Sequence, residues 1–291
     1  NGQSTSFTLK GSADFTLSRL ATDVDASAVT DSLTVTTEGS TGLTITAGTD
    51  ATTVTSLGIT AGGEAVTVNA VNAAADKTLT LLGTSNFTVT NLKASLSNTA
   101  SGLIDVTLAD ASVGSASSNS ISSTQAITIN ADAAEAADTV TVIGGGHFTV
   151  NNLAATLNAA SATGAVTATT DADASLSVTL GTGAGGNQTV ISSGTGTITV
   201  EATNQSASDI VLSGSSTFDV NNVASGVDVD ASLTSGLVDI DTDTNATLTV
   251  TSGTGATGNT KVTSDGTGTI TVGGNLTLSP GSTLGIDLGA S

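Results

Sequence analysis

The stretch Gly83-Thr-Ser-Asn-Phe-Thr-Val-Thr-Asn-Leu92 recurs three more times in the chain. Its other copies are Gly11-Ser-Ala-Asp-Phe-Thr-Leu-Ser-Arg-Leu20, Gly144-Gly-Gly-His-Phe-Thr-Val-Asn-Asn-Leu153 and Gly214-Ser-Ser-Thr-Phe-Asp-Val-Asn-Asn-Val223. Phe87, Val89 and Asn91 share one parity and Thr88 and Thr90 the other, the period-two alternation of a strand with one buried face. The residue four past each Phe is Asn91, Asn152 or Asn222, with Arg19 in the first copy. Asn tolerates the left-handed backbone region better than other non-glycine residues, so this position is expected to bend the chain at a corner between strands.

Phe15, Phe87, Phe148 and Phe218 stand 72, 61 and 70 residues apart. Self-similarity on this scale points to a repeat architecture. Repeats are expected over 11–82, 83–143, 144–213 and 214–273, with residues 1–10 as an N-terminal cap or assembly strand and 274–291 as a C-terminal coil or cap. Between markers the chain is a succession of short alternating runs, such as Leu33-Thr-Val-Thr-Thr37, Thr78-Leu-Thr-Leu81, Leu176-Ser-Val-Thr-Leu180 and Thr247-Leu-Thr-Val250, separated by Gly, Asn, Asp and Ser. The second repeat lacks about ten residues, which reads as one strand and turn lost between Asp110 and Ile127.

These features predict an all-β chain, a parallel β-solenoid (β-helix) of four imperfect repeats of about 60–72 residues. With roughly 20 to 25 residues per coil, each repeat is expected to hold three coils. Losing a strand and turn is easier in a coil stacked on its neighbours than in a closed sandwich. The competing architectures are a string of small β-sandwiches, for which 70 residues is short and large aromatics are expected, and a trimeric fibre.

Composition excludes several functions. There is no Cys among 291 residues, so no disulfide framework, thiol catalysis or thiolate metal site exists. Twenty-five acidic residues against five basic ones give a net charge of −20, and Lys10, Arg19, Lys77, Lys93 and Lys261 form no sequence patch that would displace counterions from a phosphate backbone. Nucleic acid is therefore not an expected partner, and no apolar run is long enough for a membrane-spanning helix. Asn1 reads as the start of a mature or excised segment, and the scarcity of Lys with abundant Thr, Ser, Gly and Ala as an extracellular, cell-surface composition.

The aspartates come in close pairs: Asp23 and Asp25, Asp171 and Asp173, Asp228 and Asp230, and Asp239, Asp241 and Asp243 followed by Asn245. Alternate spacing in an extended segment sets such carboxylates on one side, where they repel. A hard cation such as Ca2+, with its several oxygen ligands, would neutralise them, and Asp-x-Asp-x-Asp-x-Asn has the rhythm of an oxygen-rich loop. The alternative is a solvated face that keeps the protein soluble. Catalysis is not expected: His147, the only histidine, precedes Phe148 at a coil edge, and paired acids acting on glycosides normally work beside Trp or Tyr, which the chain lacks. Five Asn-x-Ser/Thr sequons, at Asn86, Asn187, Asn204, Asn245 and Asn275, are no more than this composition yields by chance.

The phrase Gly-x-x-Phe-Thr-Val-x-Asn-Leu, with Val24-Asp-Ala-Ser27 and Leu33-Thr-Val-Thr-Thr37, resembles repeats of very large secreted bacterial proteins of the adhesin, S-layer and RTX-associated type. Gly274-Asn-Leu-Thr-Leu-Ser-Pro-Gly-Ser-Thr-Leu284 resembles the final coils of autotransporter passenger β-helices. The calcium-binding Gly-Gly-x-Gly-x-Asp nonapeptide is absent: Gly194-Thr-Gly-Thr-Ile198 and Gly266-Thr-Gly-Thr-Ile270 keep the glycines without the aspartate. The resulting expectation is a structural protein that self-assembles into a surface filament, sheath or S-layer-like lattice, or alternatively the stalk or passenger of an adhesin that meets surface glycans.

Overall fold

The structure is a computed structural model. It describes residues 6–37, 42–56, 65–109, 118–132, 134, 136, 138–171, 173–206, 208–243, 245–253, 260–264, 268–273 and 285–287. The Pro280 turn, most of the expected C-terminal coil and Gly266-Thr267 lie outside these residues. All described elements are strands, paired in parallel, and the chain is a β-solenoid with two strands per coil. It divides into two compact units, 1–141 and 142–291.

The first unit begins with β1 (Phe7–Gly11), β2 (Phe15–Leu20), β3 (Val24–Val29), β4 (Leu33–Thr37), β5 (Thr44–Thr46), β6 (Thr52–Ser56) and β7 (Val66–Asn69). It continues with β8 (Thr78–Gly83), β9 (Phe87–Leu92), β10 (Ser95–Asn98), β11 (Ile104–Leu108), β12 (Ser118–Ser123), β13 (Ile127–Asn130) and the start of β14 (Thr139–Gly144). Odd strands pair with odd and even with even, one coil apart: Val66 opposes Phe87 and Phe87 opposes Ile104, while Leu33 opposes Thr52.

The second unit runs through β15 (Phe148–Leu153), β16 (Thr156–Ala162), β17 (Gly164–Thr170), β18 (Leu176–Thr179), β19 (Gly185–Ser192), β20 (Thr197–Glu201) and β21 (Ile210–Gly214). Then come β22 (Thr217–Val223), β23 (Val229–Thr234), β24 (Val238–Thr242), β25 (Leu248–Thr251), β26 (Thr260–Thr263), β27 (Ile270–Gly273) and β28 (Gly285–Asp287). The pairing rule is the same, with Val166 opposite Gln188 and Phe218 opposite Val238.

Period-two patterning builds the core of both units. Leu33 and Val35, or Phe148 and Val150, point inward and are buried, with Thr on the alternate, wetter face. Phe87, Phe148 and Phe218 are the largest fully buried side chains. The bending residue is found as expected: Arg19, Asn91, Asn152 and Asn222 all have φ between 55° and 60°. It does not separate two strands, however. It makes a bulge inside one, where Val150 and Leu153 oppose Ala168 and Thr170, so that two residues answer one and Leu153 returns to the core three positions after Val150.

Counting strands revises the repeat. Successive markers fall on β2, β9, β15 and β22, that is seven, six and seven strands apart. With two strands per coil, a 72- or 70-residue repeat holds three and a half coils rather than three, and the two markers within each unit lie in opposite sheets. The second interval is one strand shorter, but Asp110 to Ile127 is not where the strand is missing, because β12 occupies that segment.

The two units also carry matching internal details. Buried hydroxyls link Thr37 to Ser56 and Ser56 to Ser85 at 2.7 Å each, and Thr170 to Ser192 and Ser192 to Ser216 at 2.7 Å each. Each chain starts 22 residues past one marker Phe and ends two residues before the next. Ser101-Gly-Leu-Ile-Asp105 and Ser235-Gly-Leu-Val-Asp239 then follow. In these the glycine is required, since a Cβ on Gly102 or Gly236 would lie 2.1 Å from the carbonyl oxygen of Ser85 or Ser216 in the coil before it. The pattern is that of one long unit present twice, each copy holding two markers.

Candidate functional site

Asp23-Val-Asp-Ala-Ser27 and Asp228-Val-Asp-Ala-Ser232 are the same device used twice. The valine is buried and the aspartates face outward. The first aspartate reaches to the next coil: Thr44 N–H donates to Asp23 Oδ1 at 2.8 Å and Thr249 N–H to Asp228 Oδ1 at 2.6 Å. The second closes a turn on its own chain, accepting from Ser27 N–H at 3.0 Å (Asp25) and from Ser232 N–H at 2.9 Å (Asp230). That is the Asx turn, here set at a bulge in β3 and β23. The Ser27 hydroxyl and amide, with a smaller contribution from Lys10, hold the Asp25 carboxyl below the usual carboxylate range.

Asp171, Asp173, Asp243 and Asn245 form a second recurring turn. Ala174 N–H donates to Asp171 O at 3.5 Å and Ala246 N–H to Asp243 O at 3.1 Å, while Asp173 and Asn245 both have φ of 62°. Asp173 Oδ1 also accepts from the amide and hydroxyl of Thr195 in the next coil, at 2.7 and 2.8 Å, and the Thr195 hydroxyl and then its amide lower the Asp173 pKa. These turns account for Gly196 and Gly268, where a Cβ would stand 1.9 Å from Ala174 O or Ala246 O. Stabilisation of Asp25 and Asp173 in their charged forms stands above the unfolded carboxyl pKa and is lost as pH falls through the lower folded values.

Asp239 and Asp241 lie on the outer face of β24, apart from the Asp243–Asn245 turn, so the acidic run is half strand and half turn rather than one loop. Asp239 stands in register between Asp219 on β22 and Lys261 on β26. Lys261 Nζ donates to both of its oxygens, at 3.2 and 3.1 Å. Among the described residues no group of three or more His, Cys, Asp or Glu is placed to hold a metal ion. His147 is exposed.

Asp219 is the acid that parity alone did not single out; its signal is a spacing of one coil from Asp239. Partial burial, then Asp239, Asp241 and Glu201, push its pKa up against an opposing hydrogen bond from Asn221. A folded-state pKa above the unfolded one means that ionisation costs stability. The penalty stands in full above the folded value and vanishes as pH falls through it into the ordinary carboxylate range. Asp219→Asn is therefore expected to stabilise the protein at pH 7 by up to about 1 kcal/mol, given the exposure of the site, and to make no difference near pH 3. Denaturant titrations of both proteins at the two pH values check this.

Acidity is unevenly distributed. In the first unit, Thr16, Thr34, Thr53, Thr80, Ser97 and Ser122 stand in register on successive even strands, one hydroxyl per rung. Beside them on the same outer face are Thr36, Thr55, Thr78 and Ser95. The outward positions of β4, β6, β8 and β10 carry no charge, in a chain with 30 charged residues. Adjacent rungs are about 4.8 Å apart, so this is a regular array of hydroxyls and methyls. The odd sheet of the same unit carries Asp25 and Asp105 on its outer face. No family of known proteins matches the chain, and neither does any curated protein or solved structure.

Proposed function

We propose that the chain is a structural protein, a self-associating subunit of an extracellular surface filament, sheath or lattice. The observation that carries this reading is the charge-free face of β4, β6, β8 and β10. Copies of a protein with net charge −20 repel one another wherever carboxylates meet. On this face two copies approach with hydroxyls and aliphatic groups, the half-buried Leu82 among them, so side-by-side contact is least opposed there. Calcium strengthens the association by screening the remaining acidic surface, the Asp219 and Asp239 column included.

The test is electron microscopy and light scattering of the protein with calcium and with chelator, at matched ionic strength, beside Thr53→Glu/Thr80→Glu. The wild type is expected to assemble and the doubly charged variant to stay monomeric with an unchanged circular dichroism spectrum. A wild type that is monomeric at high concentration in millimolar calcium, or a variant that assembles equally well, overturns the proposal. Monomers that bind a glycan-coated surface saturably would instead support the stalk of an adhesin.

A further inference from the structure

We infer that one corner of the second unit encloses bound water, held between Thr182, Gln205 and the loop 183–188. Among the described residues, an alanine directly following a strand opens a four-residue turn four times. The amide of the fourth residue closes onto the carbonyl of the first in Ala70–Ala73 at 3.0 Å, in Ala131–Ala134 at 2.9 Å, in Ala202–Gln205 at 2.9 Å and in Ala224–Val227 at 3.3 Å. The fourth residue is buried in all four, and three times it is Ala or Val. At Gln205, 2% exposed, a primary amide occupies this apolar place, and neither its Nε2 nor its Oε1 has a partner in the protein.

The surroundings are polar to match. A Cβ on Gly183 would stand 2.4 Å from Gln205 Oε1 and 2.0 Å from Ser208 Oγ, so both oxygens converge over this glycine, whose φ is +69°. The Ser208 hydroxyl donates to Gly186 O at 2.8 Å. Gln188, fully buried, donates through Nε2 to Gly164 O at 3.1 Å and to Gly186 O at 3.2 Å, while its Oε1 is unpartnered. Thr182 Oγ1 is buried and unpartnered as well. Four orphaned atoms on three residues of one loop stack exceed what a folded chain tolerates dry, because each buried donor or acceptor left unpaired carries its full desolvation cost.

In the first unit the same corner has one orphaned atom, the buried Thr52 Oγ1, and no glutamine. There Thr49 and Thr52 occupy the places of Thr182 and Gln188: Thr49 N–H donates to Val29 O as Thr182 N–H does to Ala162 O, and Thr52 opposes Leu33 as Gln188 opposes Val166. Two residues separate that pair in the first unit and five in the second, Gly183-Ala-Gly-Gly-Asn187. The longer loop and the two buried glutamines therefore occur together, in one copy only. The ligand must both donate and accept, since Gln205 presents an orphaned N–H2 and an orphaned oxygen. A metal cation would satisfy only the oxygens, whereas water satisfies both.

A high-resolution crystal structure tests this directly. Ordered water within hydrogen-bond distance of Gln205 Nε2 and Oε1 is expected; solvent at neither atom overturns the inference. In solution, Gln205→Val installs the residue found at this turn position one coil later. If water completes the amide's hydrogen bonds, the variant loses them and its thermal midpoint falls by a few degrees. If the amide is buried dry, its removal relieves a penalty, and a midpoint that holds or rises rejects the site.

Discussion

Gly83→Ala is expected to cost more than about 4 kcal/mol, within the range reserved for a backbone that can no longer close. Two causes add. Gly83 has φ of +107°, which an L side chain rarely adopts, and a Cβ there would lie 1.9 Å from the carbonyl oxygen of Ser56. That carbonyl cannot yield, because it accepts the amides of Thr84 at 2.8 Å and Ser85 at 3.4 Å and so holds the whole marker turn on the coil before it. Gly11 separates the two causes. Its φ is +122° but nothing lies within 4 Å of its Cβ position, so Gly11→Ala is expected to cost only the backbone strain, about 1–3 kcal/mol. Guanidinium unfolding of the two variants gives the difference, and equal losses would refute the steric account.

Phe218→Ala is expected to lose about 3–5 kcal/mol, the usual consequence of emptying a fully buried aromatic site. Where the loss is felt is the more informative prediction. In a solenoid each rung contacts mainly its neighbours, and Phe218 on β22 opposes Ile198 on β20 and Val238 on β24. Hydrogen exchange should therefore show protection falling first in β20, β22 and β24. A uniform loss across the second unit would mean that the unit unfolds as one block.

Much of the architecture was legible in the sequence, because a strand with one buried face writes its period directly into the order of Val, Leu and Thr. The period is faintest in β10, β12, β16 and β23, and the reason is chemical. Their inward positions include Asn98, Ser123, Ala159, Ala162 and Ala231, small or polar residues with no β-branched signature. Three of the four come directly after the Phe-bearing strand. The left-handed bend at Asn91 and its equivalents was readable because few residues tolerate it; its placement inside a strand was not, since a bulge is defined by the partner rung. The Asp pairs show the same limit. Their outward parity followed from spacing, whereas the donors that occupy Asp23, Asp173 and Asp228 sit 21 or 22 residues away, one coil on.

That offset of one coil bears on how the chain acquires its structure. Among the described pairs, partners stand from 16 residues apart at Leu92 and Leu108 to 27 apart at Thr52 and Leu79. Against 291 residues, a typical separation near 20 gives a relative contact order of about 0.07, the value of helical bundles rather than of β-sandwiches. An all-β protein of this kind pays little loop-closure entropy at any step. Each coil can dock as soon as the next twenty or so residues have left the ribosome, so growth from the N-terminal side can keep pace with synthesis.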